Sequence, residues 1–272
     1  MNVLDTNFAQ GFFRLADNGA KLGWHERNGG NLSYRMRREE AQVVSGCLHT
    51  DKPWQKIGAT VPDLGGQCFM VTGSGKYLSN VLRDPEDTVC IIELDEAGEN
   101  YRILWGLVNG GNPTSELPSH LMNHQVKCQV TEGRNRVIYH CHPANLIALT
   151  FVLPLEDKVF TRELWETMTE CPVIFPSGIG VLPWMVPGGE EIALASCEKM
   201  KTYDVLVWAH HGLFCCGETF DHTFGLAHTV EKAAEILVKI RSMAPQRRQS
   251  ITSDEFRALG EHFGIQLSEE FL

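Results

Sequence analysis

Residues 137–145 read V-I-Y-H-C-H-P-A-N, and residues 205–212 read V-L-V-W-A-H-H-G. Each is a short apolar run that stops abruptly in histidines, at a proline in one case and a glycine in the other. Runs of this length bounded by turn residues are strands. A chain with two such strands must bring both ends to one edge of a sheet if the imidazoles are to share a site. Along a strand, residues i and i+2 point to the same face. His140 and His142 therefore stand side by side, with Cys141 turned the other way. Two imidazoles so placed suit two corners of a tetrahedral metal site; two core histidines bonded to backbone carbonyls are the alternative. A third ligand is offered by His211 or by its neighbour His210. Strand alternation lets only one of them face the site, and spacing does not choose between them.

The rest of the chain alternates helical and extended patterns. Leu4, Phe8, Phe12, Leu15 and Leu22 recur at helical spacing, and so do Phe220, Phe224, Ala227, Val230, Ala234 and Leu237. Further helices are predicted from T-S-E-L-P at 114–118 to about Val130, over N-L-I-A-L-T-F-V-L after Pro143, and over E-E-I-A-L-A-S-C-E-K-M at 190–200. Thr252 and Glu255 form a capping box for a last short helix. Strands are predicted in N-L-S-Y-R-M and in Q-C-F-M-V-T. V-C-I-I-E-L and Y-R-I-L-W-G read as a hairpin around Gly98. V-I-F-P and V-L-P-W read as short extended pieces. The interleaving implies a mixed sheet covered by helices on both sides.

Charge narrows the function. With 24 Lys and Arg against 34 Asp and Glu the chain is at −10, which excludes a general binder of nucleic acid or of a membrane surface. Nine cysteines, an odd number with no C-x-x-C pair, fit reduced and mostly buried thiols of a cytoplasmic protein. Two stretches, 137–155 and 171–189, lack ionised side chains. Pro172, Pro176, Pro183 and Pro187 forbid a spanning helix in the second, and His140, His142 and Pro143 interrupt the first, so both read as buried core. The N-terminus shows no signal-peptide pattern.

Three further groups of residues could carry chemistry. Glu116, His120 and His124 share a helical face at i, i+4, i+8. They do not make an H-E-x-x-H site, because Leu121 stands where the glutamate belongs, and the two histidines read as packing or surface residues. Glu116 reads either as a proton shuttle beside a metal or as a residue complementing its helix N-terminus. R-N-G-G-N at 27–31 and T-G-S-G-K at 72–76 can each present backbone N–H groups to an anion. The second is not a P-loop: Met70 occupies the first glycine position, and Tyr77 follows the lysine. With Ser115 the two turns could form one phosphate pocket.

The set N-G-G-N, V-T-G-S-G-K, N-P-T-S-E-L-P-S-H, H-C-H-P-A-N-L, L-P-W-M-V-P-G and H-H-G, in that order along nearly the whole chain, resembles the class II aldolase/adducin superfamily. T-S-E-L-P-S-H and L-P-W-M-V-P-G resemble the members that cleave L-rhamnulose 1-phosphate. The resemblance implies a single class II aldolase domain over residues 1–272 and a three-layer α/β/α fold with a mixed, mostly antiparallel central sheet. It implies one Zn2+ per subunit on His140, His142 and His211, catalytic Glu116, and a phosphate site at Asn28, Gly30, Asn31, Ser74, Gly75 and Ser115. Glu170 matches a carboxylate that reaches the aldehyde end from a neighbouring subunit of a homotetramer. The implied reaction is reversible cleavage of that sugar phosphate to dihydroxyacetone phosphate and L-lactaldehyde, without nucleic-acid or membrane partners. Related alternatives are L-fuculose-1-phosphate aldolase, a pentulose-phosphate 4-epimerase, or a non-catalytic adducin-like module.

Overall fold

The computed structural model describes residues 1–244 and 246–272. One sheet of nine strands organises it: β1 (Asn31–Arg35), β2 (Gln55–Lys56), β3 (Cys68–Thr72), β4 (Val89–Leu94), β5 (Asn100–Gly106), β6 (Val137–Cys141), β7 (Gly180–Leu182), β8 (Val205–Trp208) and β9 (Gly212–Gly217). Their order is β2-β5-β4-β3-β1-β6-β9-β8-β7, antiparallel throughout except for the parallel pair β7 and β8. This is the mixed sheet that the interleaved pattern predicts, mostly antiparallel as the family resemblance implies, and the β4–β5 hairpin turns at Gly98 with φ +66°.

Strand alternation sorts the side chains into two cores. Phe69, Val71, Cys90 and Ile92 face one way and pack with Leu117 and Leu121 of the helix Leu117–Val130. Met70, Val89 and Ile91 face the other way, into a larger core with Phe8, Phe12 and Leu15 of the helix Asn7–Lys21. The long helix Phe220–Met243 joins that second layer, with Ala227, Val230, Ala234 and Leu237 buried and Phe220 edge-on to Phe12. A sheet buried on both faces has strands that are apolar at almost every position, which is why β1, β6 and β9 are buried from end to end.

Several local expectations change. The first helix begins at Asn7, because Thr6 caps it and a 3₁₀ turn takes up Val3–Asp5. V-I-F-P is not extended: Cys171–Ile174 forms one helical turn, with Pro172 in its first turn, where a missing N–H does no harm. The helix after Pro143 covers only Ala144–Leu149. The two uncharged stretches are not wholly buried, since Phe151, Val152, Trp184 and Val186 are exposed. Among the described residues no helix is long and apolar enough to cross a membrane. The sequence pattern marks neither β9 nor the helix Asp157–Trp165; β9 is buried on both faces and so shows no alternation, and it starts at the glycine that reads as a turn.

The helix Leu117–Val130 carries site residues at its start and is held to the sheet by Leu121, which is fully buried. Leu121→Ala is expected to lower stability by about 2–5 kcal/mol in urea unfolding, because the cavity cannot fully collapse against a sheet. A loss under about 1 kcal/mol would show that this helix packs more loosely.

Candidate metal centre and anion cleft

Register decides what meets at the sheet edge. β1 begins where β6 ends, so Asn31 lies opposite His140. β9 lies on the other side of β6, with His140 opposite Phe214 and Cys141 opposite Leu213. β8 turns into β9 through Ala209, His210 and His211. In that turn His210 takes the left-handed conformation, φ +59°. Its ring lies against Phe151, with centroids 4.2 Å apart, and its Nδ1 lies 3.0 Å from Thr150 Oγ1. His211 is left to face the site. Gly212 admits the close approach, since a Cβ there would lie 2.4 Å from the Cys141 carbonyl oxygen and 3.0 Å from the His142 ring.

His140 Nε2 is 3.2 Å from His142 Nε2 and 3.2 Å from His211 Nε2. Zinc–nitrogen bonds of about 2.0–2.1 Å at tetrahedral angles put ligand nitrogens roughly 3.3 Å apart. His140 Nδ1–H donates to the Leu213 carbonyl at 2.9 Å, and His142 Nδ1–H to the Glu26 carboxylate at 2.6 Å. Those bonds place the ring protons on Nδ1 and leave the Nε2 lone pairs facing one another. Converging lone pairs repel unless a cation sits among them, so the donor set fits a divalent metal. Burial, reinforced by His211 and His142, pushes His140 well below the usual imidazole range, and burial ahead of His142 lowers His211 to about 4. Both rings are neutral at pH 7, as ligation requires. Among the described residues these three form a possible metal site. Glu26 escaped the sequence reading: no spacing rule marks the acid two residues before N-G-G-N, although such partners orient metal-bound histidines.

Glu116 stands beside the trio, its Oε2 4.0 Å from His140 Nε2. It occupies the N-cap position of Leu117–Val130, yet its side chain makes no capping bond; its own N–H is bonded to Thr114 Oγ1 at 3.3 Å. The carboxylate instead accepts from Asn31 Nδ2 at 2.9 Å. Burial raises its pKa, opposed by the Asn31 bond and by His142. His120 and His124, read from sequence as packing or surface residues, are fully buried and hydrogen-bonded to Ser33.

The two glycine turns close the opposite wall. Ser74 N–H donates to the Asn112 carbonyl and Thr114 N–H to the Thr72 carbonyl, both at 2.8 Å, which staples the chain before Glu116 to the end of β3. Asn28, Gly30, Asn31, Ser74, Gly75, Ser115, Glu116 and the three histidines thus line one cleft of about 160 Å³. Gly30 has φ +70°, and a Cβ there would strike the His25 ring at 2.4 Å, so the turn admits no side chain. The Asn31 amide is bonded at both ends, to Glu116 and to His120. Lys76 is paired with Asp87 at 2.7 Å, outside the cleft lining. Glu170 is exposed at the start of the turn Cys171–Ile174 and does not line the cleft.

Fold and site together define a class. The family model for the Class II Aldolase and Adducin N-terminal domain matches residues 12–238, and the chain belongs to that family. Among similar proteins, the rhamnulose-1-phosphate aldolase of Mannheimia succiniciproducens is 49% identical over 264 residues, covering 97% of each chain. That of Pectobacterium atrosepticum is 46% identical over 263 residues, covering 97% of this chain and 96% of the other. A sugar-phosphate aldolase from Thermotoga maritima of solved structure superposes with a TM-score of 0.75 at 27% identity, over 88% of this chain and 97% of the other.

His142→Ala is expected to abolish metal retention in elemental analysis, since one of three ligands is removed; a variant that keeps full metal would remove His142 from the centre. Glu26→Gln is expected to weaken metal binding by about 10–100-fold in chelator competition. Unchanged affinity would make the contact between Glu26 and His142 incidental.

Proposed function

We propose that the chain is a zinc-dependent class II aldolase, acting as a single domain, that reversibly cleaves L-rhamnulose 1-phosphate to dihydroxyacetone phosphate and L-lactaldehyde. One observation carries the reading: three Nε2 atoms and a buried carboxylate open onto a cleft walled by two glycine turns. The 49% and 46% identities to proteins of that named activity, over nearly the full chain, support the choice of sugar phosphate.

His140, His142 and His211 would hold the zinc. On three neutral ligands it keeps its full charge and would supply Lewis-acid polarisation of the ketose carbonyl. At the phosphate end, the Asn28 amide, the Ser74 and Ser115 hydroxyls and the Gly75 backbone offer donors with no fixed cation among the lining residues. Asn31, bonded at both ends, serves Glu116 in this arrangement.

Cleavage removes the C4 hydroxyl proton and breaks the C3–C4 bond, leaving the electron pair on C3. A proton must then be delivered to C3, and in the synthetic direction taken from it. Glu116 is the group placed to carry that proton, and a carboxyl raised by burial holds one more readily than an exposed carboxyl. Glu170, exposed on this chain, would reach the aldehyde end of a neighbouring site in a homotetramer. Phe151, Val152, Trp184 and Val186, each more than half exposed, supply apolar surface for subunit contacts. A cytoplasmic setting agrees with nine free thiols, five of them buried.

Purified protein is expected to release dihydroxyacetone phosphate from L-rhamnulose 1-phosphate faster than from L-fuculose 1-phosphate, and to contain zinc. Glu116→Ala is expected to keep its fold and lose about 10²–10⁴-fold in kcat. A near-normal kcat in that variant would return Glu116 to a helix-terminal role, and a preference for the fuculose substrate would reassign the enzyme within its family.

A further inference from the structure

Behind Glu116 runs a line of buried polar groups that starts at Asn31 in the cleft wall and continues through His120, Ser33 and His124, none of which lines the cleft. Asn31 Nδ2 is 2.9 Å from Glu116 Oε2, and Asn31 Oδ1 is 2.5 Å from His120 Nε2. His120 Nδ1 is 2.6 Å from Ser33 Oγ, which is 2.8 Å from His124 Nε2. His120, Ser33 and His124 have no exposed surface, and Asn31 and Glu116 are 7% and 6% exposed. The geometry is a register match between two kinds of element. Asn31 and Ser33 lie two apart on β1, a rise of about 6.7 Å. Glu116, His120 and His124 lie four apart along the helix, a rise of about 6 Å per step. Strand and helix face each other with matching steps, and each of these facing groups is polar.

The chemistry of each group fixes the direction of the line. An ionised carboxylate only accepts, so Asn31 must turn its NH2 to Glu116 and its carbonyl to His120. His120 must then carry its proton on Nε2, leaving Nδ1 to accept from the Ser33 hydroxyl. The Ser33 oxygen in turn accepts from His124 Nε2–H. Every donor points toward Glu116. His124 Nδ1, at the far end, is buried without a partner, as expected of the lone pair that this order leaves over. Burial holds His120 at a pKa of about 3 and His124 well below the usual range, so both rings remain neutral and keep these tautomers.

We propose that His120 is a positioning residue for the reaction proposed above. With its tautomer set by Ser33, it locks the Asn31 amide, and that amide fixes the rotamer of the Glu116 carboxylate. Without it the Asn31 amide is free to turn over and present its carbonyl to a carboxylate, and Glu116 loses its tether. The inference rests on the aldolase reading, because it assigns His120 a task only if Glu116 acts on substrate.

The test is a double-mutant cycle read by dihydroxyacetone phosphate release, with metal content and thermal unfolding measured on every variant. His120→Leu is expected to lower kcat by about 10–100-fold with little change in KM and with metal content intact. His120→Gln, which restores an N–H donor toward Asn31, is expected to recover most of that loss. Ser33→Ala, a smaller change that serves if His120→Leu does not fold, is expected to lower kcat less and in the same manner. In a Glu116→Ala background these substitutions are expected to have no further effect on turnover, since they act through the removed carboxylate. Equal losses in both backgrounds, or an unchanged kcat in His120→Leu and Ser33→Ala, would overturn the proposal and leave a merely structural seam. A wild-type protein that retains metal but releases no dihydroxyacetone phosphate would overturn the aldolase reading itself, and this inference with it.

Discussion

Three converging imidazole nitrogens, those of His142 and His211 each 3.2 Å from that of His140, are the constraint around which this molecule is built. No short segment can supply them. His140 and His142 end β6, whereas His211 arrives some seventy residues later through the β8–β9 turn. They meet only because β6 and β9 pair antiparallel with Cys141 opposite Leu213. A slip of one residue would turn His140 to the other face of the sheet and leave a tyrosine or a cysteine in its place. The fully apolar flanks of β6 and β9 make such a slip costly, so the core pays for the accuracy of the edge.

The same edge collects Glu116 and the two glycine turns through antiparallel pairing. Asn31 starts β1 opposite His140, and Thr72 ends β3 just before G-S-G. Thr114 is stapled back onto Thr72, which puts Glu116 at the head of its helix beside the histidines. Glu231, from the long helix, accepts from the Asn145 N–H at 3.1 Å and from the Leu146 N–H at 2.9 Å. It thereby anchors the segment that follows His142 and Pro143. Positions that look scattered along the chain are thus held by a few bonds between elements.

Along the polar seam buried beneath the site each donor finds an acceptor. Interiors tolerate such a seam only when it is nearly complete. Here it runs from His124 to Glu116 with one unpartnered ring nitrogen at the end away from the cleft. Order in the proton positions is therefore a property of the fold as much as of the individual residues.

Periodicity and turn chemistry in the sequence were enough for the mixed sheet, for the side-by-side pair His140 and His142, and for the two glycine turns. Each of those depends on residues close together in the chain. The sequence could not choose between His210 and His211, because that choice hangs on one left-handed residue and a contact with Thr150. It gave no sign of Glu26, whose role exists only where β6 ends against the loop before β1. It placed Glu116, His120 and His124 on one helical face but not the strand residues that meet them, since a helix does not record what it will pack against. Local pattern determined which side chains could take part; the pairing register of distant strands decided which ones meet, because distances of 3 Å between residues far apart in the chain are fixed only by tertiary packing.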